Sequence, residues 1–311
     1  MKKTKLRFLA SLMFCATALV ASAQTNKIKV LIVEGVSNHD WRHRVEIVRT
    51  ILDKDGSFDV DVTITPSAAG DPAWTKWRPN FSAYDVVLSG YNNLGGKPSW
   101  PAEVQAAFQS YVGSGGGFYV YHEANNSFAE WPEYSNLIGL GWRAANQGDA
   151  IIVNPDESLQ IVPSGIGPDT SHGLRTNALI KRRITHPIHN GLPMSWRAAD
   201  IEIYRYARGP GPNMPNVTVL SYALDPTTQL QFPIEWVVKY GNGHSYASSY
   251  GHVWAEQAKP DGTRCAAFQT IMVRALKWLA GRDPGNTTPT DFPGTTSTSL
   301  REYEGGESGA D

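Results

Sequence analysis

The chain has 311 residues, a formal net charge of −1 and 18% charged residues. So mild a charge argues against a nucleic acid or an anionic membrane surface as a partner, because both select strongly basic faces. The length suits one large α/β domain or two small ones. No apolar run is long enough to span a bilayer, so we expect no transmembrane segment.

The N-terminus has the pattern of an export signal. Basic residues at positions 2–7 precede an apolar run at 8–20, and Ala-Ser-Ala follows at 21–23. We therefore expect cleavage near Ala23 and a periplasmic or secreted protein. The mature chain then contains one cysteine, Cys265, so it cannot form an internal disulfide.

Strand and helix patterns alternate over residues 27–140. Short apolar runs bounded by turn residues predict strands that are buried on both faces of a sheet. In chain order, the patterns predict a strand over 29–34, a helix after Asp40, strands over 58–64 and 84–88, a helix from Pro101 and a strand over 118–121. This alternation predicts a doubly wound, mostly parallel sheet flanked by helices.

Beyond residue 150 the pattern changes to short strands separated by turns. The sequence predicts β-hairpins over 150–162 and 234–249, further strands over 202–206 and 217–222, and a closing helix over 264–279. With residues 1–23 as a signal peptide, we expect one α/β domain over 24–282 with β-hairpin insertions. Residues 283–311 are rich in Pro, Gly, Thr and Ser, so we expect a disordered tail there.

The stretch at 113–126, Gly-Ser-Gly-Gly-Gly-Phe-Tyr-Val-Tyr-His-Glu-Ala-Asn-Asn, is the most informative. Its strand ends in His122 and Glu123, and open α/β sheets bind ligands at the carboxyl ends of their strands. We predict a catalytic role for His122, with Glu123 as a general base or as the orienter of an imidazole. A helix cap or an ion pair is the competing interpretation of Glu123. Glu34 lies at the end of the first strand. Because an unpaired carboxylate is costly to bury, we expect Glu34 to have a partner nearby.

Two more histidines follow predicted strands. His39 lies in the turn after the first strand, and His252 follows the last strand through Gly251. Strand ends in a parallel sheet are neighbours, so we expect these histidines to converge with His122. A structural imidazole is the competing interpretation of each, because the chain has no His-Glu-x-x-His motif and no cysteine pair. Convergence would give His39 a catalytic role, or make His39, His122 and His252 ligands of a divalent metal such as zinc.

Several polar and aromatic side chains are candidates for binding a substrate. Amides and carboxylates hydrogen-bond hydroxyl groups, and aromatic rings stack on sugars. Turn formation, capping and core packing are the competing explanations. The candidates are Asn92, Asn125, Trp131, Glu202, Tyr204 and Trp236.

The chain resembles the ThuA-like (trehalose utilisation) family, whose fold is similar to that of class I glutamine amidotransferases and hence to flavodoxin-like sheets. The matching segments span roughly 27–282 and are 30–33 with His39, 84–87, 115–122, 131–134, 186–193, 200–204, 240–243 and 251–252. Amidotransferases carry a nucleophilic cysteine at the end of the corresponding strand. This chain has His122 or its neighbour there, so a glutaminase is not expected.

The resemblance implies carbohydrate breakdown, including pathways through 3-keto sugars. We therefore expect an exported enzyme with a small carbohydrate substrate, in which His122 or Glu123 removes the C2 proton beside a 3-keto group. Elimination of the C1 substituent and addition of water would then cleave the glycoside. No cofactor is implied beyond the divalent metal. The alternatives are a non-catalytic carbohydrate-binding protein and a metal-dependent hydrolase of unoxidised glycosides.

Overall fold

The structure is a computed structural model that describes residues 26–211 and 214–302. The expected signal at 1–23 therefore lies outside the described residues and stays a prediction. The first half contains β1 (Ile28–Glu34), α1 (Trp41–Asp55), β2 (Phe58–Ile64), β3 (Val86–Ser89), α2 (Ala102–Gly113), β4 (Gly117–Val120) and α3 (Pro132–Ile138). Short 3-10 helices cover Pro72–Thr75, Phe81–Ala83 and His122–Asn126.

The second half consists mainly of strands. In chain order it contains β5 (Ala150–Val153), β6 (Leu159–Val162), β7 (Ser171–His172), β8 (Thr176–Arg182), a 3-10 turn at Pro187–His189, β9 (Ser195–Ile201), β10 (Tyr204–Arg205), β11 (Val217–Leu224), β12 (Gln231–Tyr240), β13 (Gly243–Ser248), α4 (Asp261–Arg264) and α5 (Ala266–Leu279). Within the described ranges, no helix has both the length and the apolar composition needed to cross a membrane.

One large sheet joins the two halves. Its strand order is β2-β1-β3-β4-β13-β12-β11-β8-β9, with β5 and β6 attached beside β12. The strands are parallel from β2 through β13, and each later pair along this order is antiparallel. The predicted α/β class with a large central sheet and flanking helices is confirmed.

Apolar residues cover both faces of this sheet. In β1, Val30 and Ile32 pack with helices α1 and α5 on one face, whereas Leu31 and Val33 pack with α2 and α3 on the other. Successive side chains of a strand point to opposite faces, so a continuous apolar run is required here. Because helices cover both faces of the sheet, polar side chains can gather at the ends of the strands.

The register of the parallel strands aligns their carboxyl ends. Val33 of β1 pairs with Ser89 of β3, Ser89 pairs with Val120 of β4, and Val120 pairs with Ala247 of β13. The loops that leave β1, β4 and β13 therefore start from one edge of the sheet. This edge is the place where open α/β sheets bind ligands.

The expectation of a disordered tail is wrong for residues 283–302. Phe292 packs against Trp196 of β9 with ring centroids 5.6 Å apart, and the Arg197 amide donates to the Gly294 carbonyl at 2.7 Å. Further along, Leu300 forms a β-bridge with Cys265. The segment has few apolar residues, but backbone hydrogen bonds and one aromatic anchor hold it against the domain. The rest of the expected tail, 303–311, lies outside the described residues.

Replacement of the aromatic anchor should measure how firmly this segment is held. We expect Phe292→Ala to lower the free energy of unfolding by about 1–3 kcal/mol, less than for a fully buried Phe because Phe292 is only half-buried. Ser297→Ala, an exposed position in the same segment, is the matched control and should be neutral. Equal stability of the two variants in urea unfolding would contradict a packed C-terminal segment.

Candidate active site

Three histidines meet at the carboxyl edge of the parallel strands, as their positions after β1, β4 and β13 predict. The ring centroids of His39 and His122 are 5.3 Å apart, those of His39 and His252 are 4.7 Å apart, and those of His122 and His252 are 5.3 Å apart. One nitrogen from each ring lies within 4.8 Å of the others. All three side chains are nearly buried. We call His39, His122 and His252 the histidine cluster.

The backbone of His122 has an unusual conformation. Its φ of +31° lies in the left-handed region, which non-glycine residues rarely adopt. The Asn125 amide holds this turn by donating to the His122 carbonyl at 2.8 Å and to the Ser248 carbonyl at 3.2 Å. Nδ1 of His122 lies 3.1 Å from the Ser249 carbonyl, so Nδ1 donates to this oxygen and Nε2 is the nitrogen that faces the cluster. Backbone strain of this kind occurs at functional sites.

Glu202, between β9 and β10, brings a carboxylate to the cluster. Its Oε2 is 3.4 Å from Nε2 of His122, and its Oε1 is 3.4 Å from Nε2 of His252. Burial alone would raise the pKa of Glu202, but the hydrogen bond from His122 and the charges of His122, His252 and His172 lower this pKa to about 2. The carboxylate is therefore ionised at neutral pH.

The imidazoles of His39 and His252 are neutral at the same pH. Burial and the neighbouring His122 lower the pKa of His252 to about 3. Burial, followed by the charges of His122 and His252, also holds the pKa of His39 far below its usual range. Nδ1 of His39 faces the Asn38 amide oxygen at 3.0 Å, which leaves Nε2 as its lone-pair nitrogen. Neutral imidazoles can act as metal ligands, whereas protonated imidazoles cannot.

Arg175 is the cation next to the cluster. Its Nη1 lies 2.5 Å from Nδ1 of His252, 3.0 Å from the Gln257 amide oxygen and 3.4 Å from Asp200. A guanidinium only donates hydrogen bonds, so in this arrangement the proton of His252 is on Nε2 and faces Glu202. For His252 to bind a metal through Nε2, Arg175 has to turn away. Its side chain is 30% exposed.

A buried ion cluster lies beneath the histidines and includes Glu123. Arg44 of α1 donates to Glu34 through Nε at 3.0 Å and through Nη2 at 2.6 Å, and its Nη1 donates to Glu123. Glu34 thus has the partner that its burial demands. Glu123 is fully buried, and the same carboxylate oxygen also accepts from Ser37. The ion pair supports the competing interpretation of Glu123. Its other oxygen, Oε2, is buried without a hydrogen-bond partner among the described residues, and the general-base role stays a prediction.

The donor types at this site fit a divalent cation. Imidazole nitrogens and a carboxylate are the ligands that zinc prefers, and a metal-bound histidine normally has its other nitrogen fixed by an oxygen acceptor. The Ser249 carbonyl and the Asn38 amide supply such acceptors to His122 and His39. Within the described ranges, these three histidines are the group that could hold a metal ion.

The predicted substrate-binding residues divide into two sets. Glu202 and Tyr204 lie at the site, and the Tyr204 hydroxyl is 3.4 Å from Nε2 of His122. Asn92 and Asn125 are buried, and their amides hold neighbouring loops: Asn92 donates to Asn38 at 2.6 Å, and Asn125 fixes the His122 turn. Both therefore act on the site through other residues.

The prediction that Trp131 and Trp236 stack on a sugar is wrong. Trp236 has no exposed surface, and its indole nitrogen donates to the Ile138 carbonyl at 2.7 Å. Trp131 packs among Phe128 and Tyr134 in the apolar cluster beneath α3. Rings that are buried on both faces offer no platform to a ligand.

Sequence reasoning missed two tryptophans at the site. Trp254 is 40% exposed and stacks on His252, with ring centroids 5.6 Å apart and an interplanar angle of 19°. Trp142 contacts Tyr204 edge-on at 5.6 Å. The position of Trp254, two residues beyond His252, was the available signal. Trp142 and Arg175 lie in loops with no periodic pattern and gave no signal.

A family model and a solved structure both match this chain to the ThuA family. The sequence model of the ThuA family, described as trehalose utilisation, matches residues 29–279. A ThuA-like protein from Parabacteroides merdae has 33% identity and a TM-score of 0.80, and the match covers 88% of this chain and 98% of that one. A ThuA-like protein from Bacteroides uniformis has 20% identity and a TM-score of 0.56, over 84% and 96% of the two chains, and shows the fold alone. No curated protein matches the chain.

The depressed histidine pKa values predict how stability depends on pH. The usual pKa of histidine is 6.5. As the pH falls below this value, His39 and His252 bind protons in the unfolded chain but stay unprotonated in the folded protein. Stability should therefore decrease from pH 6.5 towards pH 4.5, by at most about 1.4 kcal/mol per pH unit for each histidine. Glu202, whose pKa is about 2, adds a loss of the same sign below its usual value of 4.5.

Urea unfolding of chelator-treated protein across this pH range tests the prediction. A His39→Asn/His252→Asn double variant should show a shallower dependence than the wild type. A remaining slope is expected from His186, whose pKa burial and His189 lower to about 4. An unchanged slope in the double variant would show that the cluster histidines do not titrate as described.

Proposed function

Because the chain belongs to the ThuA family, which is linked to trehalose utilisation, we propose that it is a carbohydrate-processing enzyme that cleaves 3-keto sugar glycosides. The observation that carries the proposal is the histidine cluster with an ionised Glu202 beside it. An ionised carboxylate and three imidazoles that would hold a cation lie at the same ends of the strands, and together they would provide the two things that this reaction needs, a base and an electrophilic centre.

The reaction follows from the acidity that a ketone gives to its neighbouring carbon. A base removes the C2 proton, and the electron pair of the C2–H bond forms an enolate with the C3 oxygen. The enolate re-forms the ketone by expelling the C1 substituent, which takes the proton from the base and leaves as an alcohol. A double bond remains between C1 and C2. Water then adds its hydroxyl to C1 and a proton to C2. The sum is hydrolysis of the glycoside, with no net oxidation or reduction.

His39, His122 and His252 are the residues that would hold a divalent cation. One nitrogen from each of the three rings lies within 4.8 Å of the others in a nearly buried space, which is the spacing that a shared cation would need. A bound cation would polarise the ketone oxygen as a Lewis acid. This assignment requires Arg175 to leave Nδ1 of His252.

Glu202 is the base in this proposal. Its carboxylate is ionised, and both of its oxygens face the cluster at 3.4 Å. Burial and the charge of Glu202 keep the pKa of Tyr204 well above its usual range, so the Tyr204 hydroxyl keeps its proton. That hydroxyl, 3.4 Å from Nε2 of His122, is placed to donate a hydrogen bond to a substrate oxygen at the cluster.

A second candidate function uses the same residues on a different substrate. Zinc sites with imidazole ligands and a nearby carboxylate base also activate water, so the donor set supports a metal-dependent hydrolase of unoxidised glycosides. Substrate preference separates the two functions. Turnover confined to 3-keto glycosides supports the first, and equal turnover of the unoxidised glycoside selects the second. Loss of activity on chelation is expected of both.

Removal of the base should abolish the reaction while leaving the fold intact. We expect Glu202→Gln, which keeps the shape of the side chain, to lower kcat on a 3-keto glycoside by about 10²–10⁴-fold. Glu46→Gln, at an exposed position of α1, is the matched control and should keep full activity. His122→Asn should be equally inactive, and asparagine tolerates the left-handed backbone at that position. Wild-type kcat in a folded Glu202→Gln protein would contradict the assignment.

A further inference from the structure

A pocket of about 440 Å³ opens beside the histidine cluster. His39 contributes to its wall, and the remaining lining comes from the loop after β1, the start of α1 and residues 254–256. Small-molecule sites usually enclose about 300–1,000 Å³, so this volume is large enough for a ligand. The pocket therefore adjoins the proposed reaction centre through His39.

Two tryptophans line this pocket. Trp254 has one face covered by His252, and it meets His39 edge-on at 5.1 Å. It is nevertheless 40% exposed, which is unusual for so large an apolar side chain. Trp41, at the start of α1, lines the same pocket, and the guanidinium of Arg42 lies 4.3 Å from its ring centroid. An exposed aromatic ring next to a reaction centre is a platform for the apolar face of a sugar ring.

The charged residues that line the pocket have a net negative formal charge. The carboxylates of Asp40 and Glu256 line it, against the single guanidinium of Arg42. Asp40 uses Oδ1 to cap α1 by accepting from the His43 amide at 3.1 Å, so this carboxylate is fixed in place. Carboxylates accept hydrogen bonds from hydroxyl groups but repel phosphate.

We propose that this pocket is a sugar-binding subsite that takes a neutral, unphosphorylated pyranose on the exposed face of Trp254. This inference rests on the proposed function, because it treats the histidine cluster as the reaction centre. Trp254 contacts both His39 and His252, so a ring stacked on it lies next to that centre. The substrate class is therefore a neutral glycoside, and sugar phosphates are excluded.

Equilibrium binding tests the subsite without requiring turnover. Titration calorimetry with trehalose as the neutral probe and glucose 6-phosphate as the anionic probe should show binding of trehalose and at least tenfold weaker binding of the phosphate. Trp254→Ala should weaken trehalose binding at least tenfold, and Trp254→Phe should recover most of it. Trp74→Ala removes a half-buried tryptophan that packs on Trp77 outside this pocket and is the matched control.

Three results would overturn the subsite: unchanged trehalose binding in Trp254→Ala, glucose 6-phosphate binding as tight as trehalose, or no trehalose binding by the wild type. Its failure is distinct from failure of the proposed function. Turnover of a 3-keto glycoside with an unchanged KM in Trp254→Ala removes the subsite alone. Trehalose binding that depends on Trp254, without any turnover, removes the reaction and keeps the subsite.

Discussion

The buried ion cluster around Arg44 is the interaction on which the site depends. Arg44 joins α1 to Glu34 at the end of β1, to the Gly90 carbonyl after β3 and to Glu123 after β4. Loss of one partner from a buried charge cluster typically costs about 3–5 kcal/mol, because the remaining charges are left uncompensated. Gly90 has to be glycine, since a Cβ there would collide with the guanidinium and with the Glu34 carboxylate. These contacts fix the loops that carry His39 and His122.

The second half of the chain completes the site that the first half begins. It supplies the Ser249 carbonyl that orients His122, the carboxylate of Glu202, and His252 itself. The first half of the chain alone would place His39 and His122 at this edge without the Glu202 carboxylate. The β-rich second half is therefore part of the candidate site, which joins residues as far apart in the chain as His39 and His252.

Sequence reasoning located the histidines because strand ends are local features, and parallel strands bring their ends to one edge. It could not assign Glu123, since the pairing with Arg44 depends on a helix position that the apolar stripe of α1 does not reveal. Trp236 was misjudged for a related reason: a strand covered on both faces gives no sign of which tryptophan remains exposed. The ordered segment at 283–302 was missed because its composition has few apolar residues, whereas backbone hydrogen bonds carry much of its packing.

The central claim is that His39, His122 and His252 form one cation-binding centre beside Glu202. Anomalous diffraction from crystals of the purified protein, recorded on both sides of the zinc absorption edge, measures this directly. The account predicts a single strong peak between the three rings, within about 2.0–2.1 Å of a nitrogen from each. Zinc-soaked crystals with no peak at that position, and with Arg175 still against Nδ1 of His252, would contradict it.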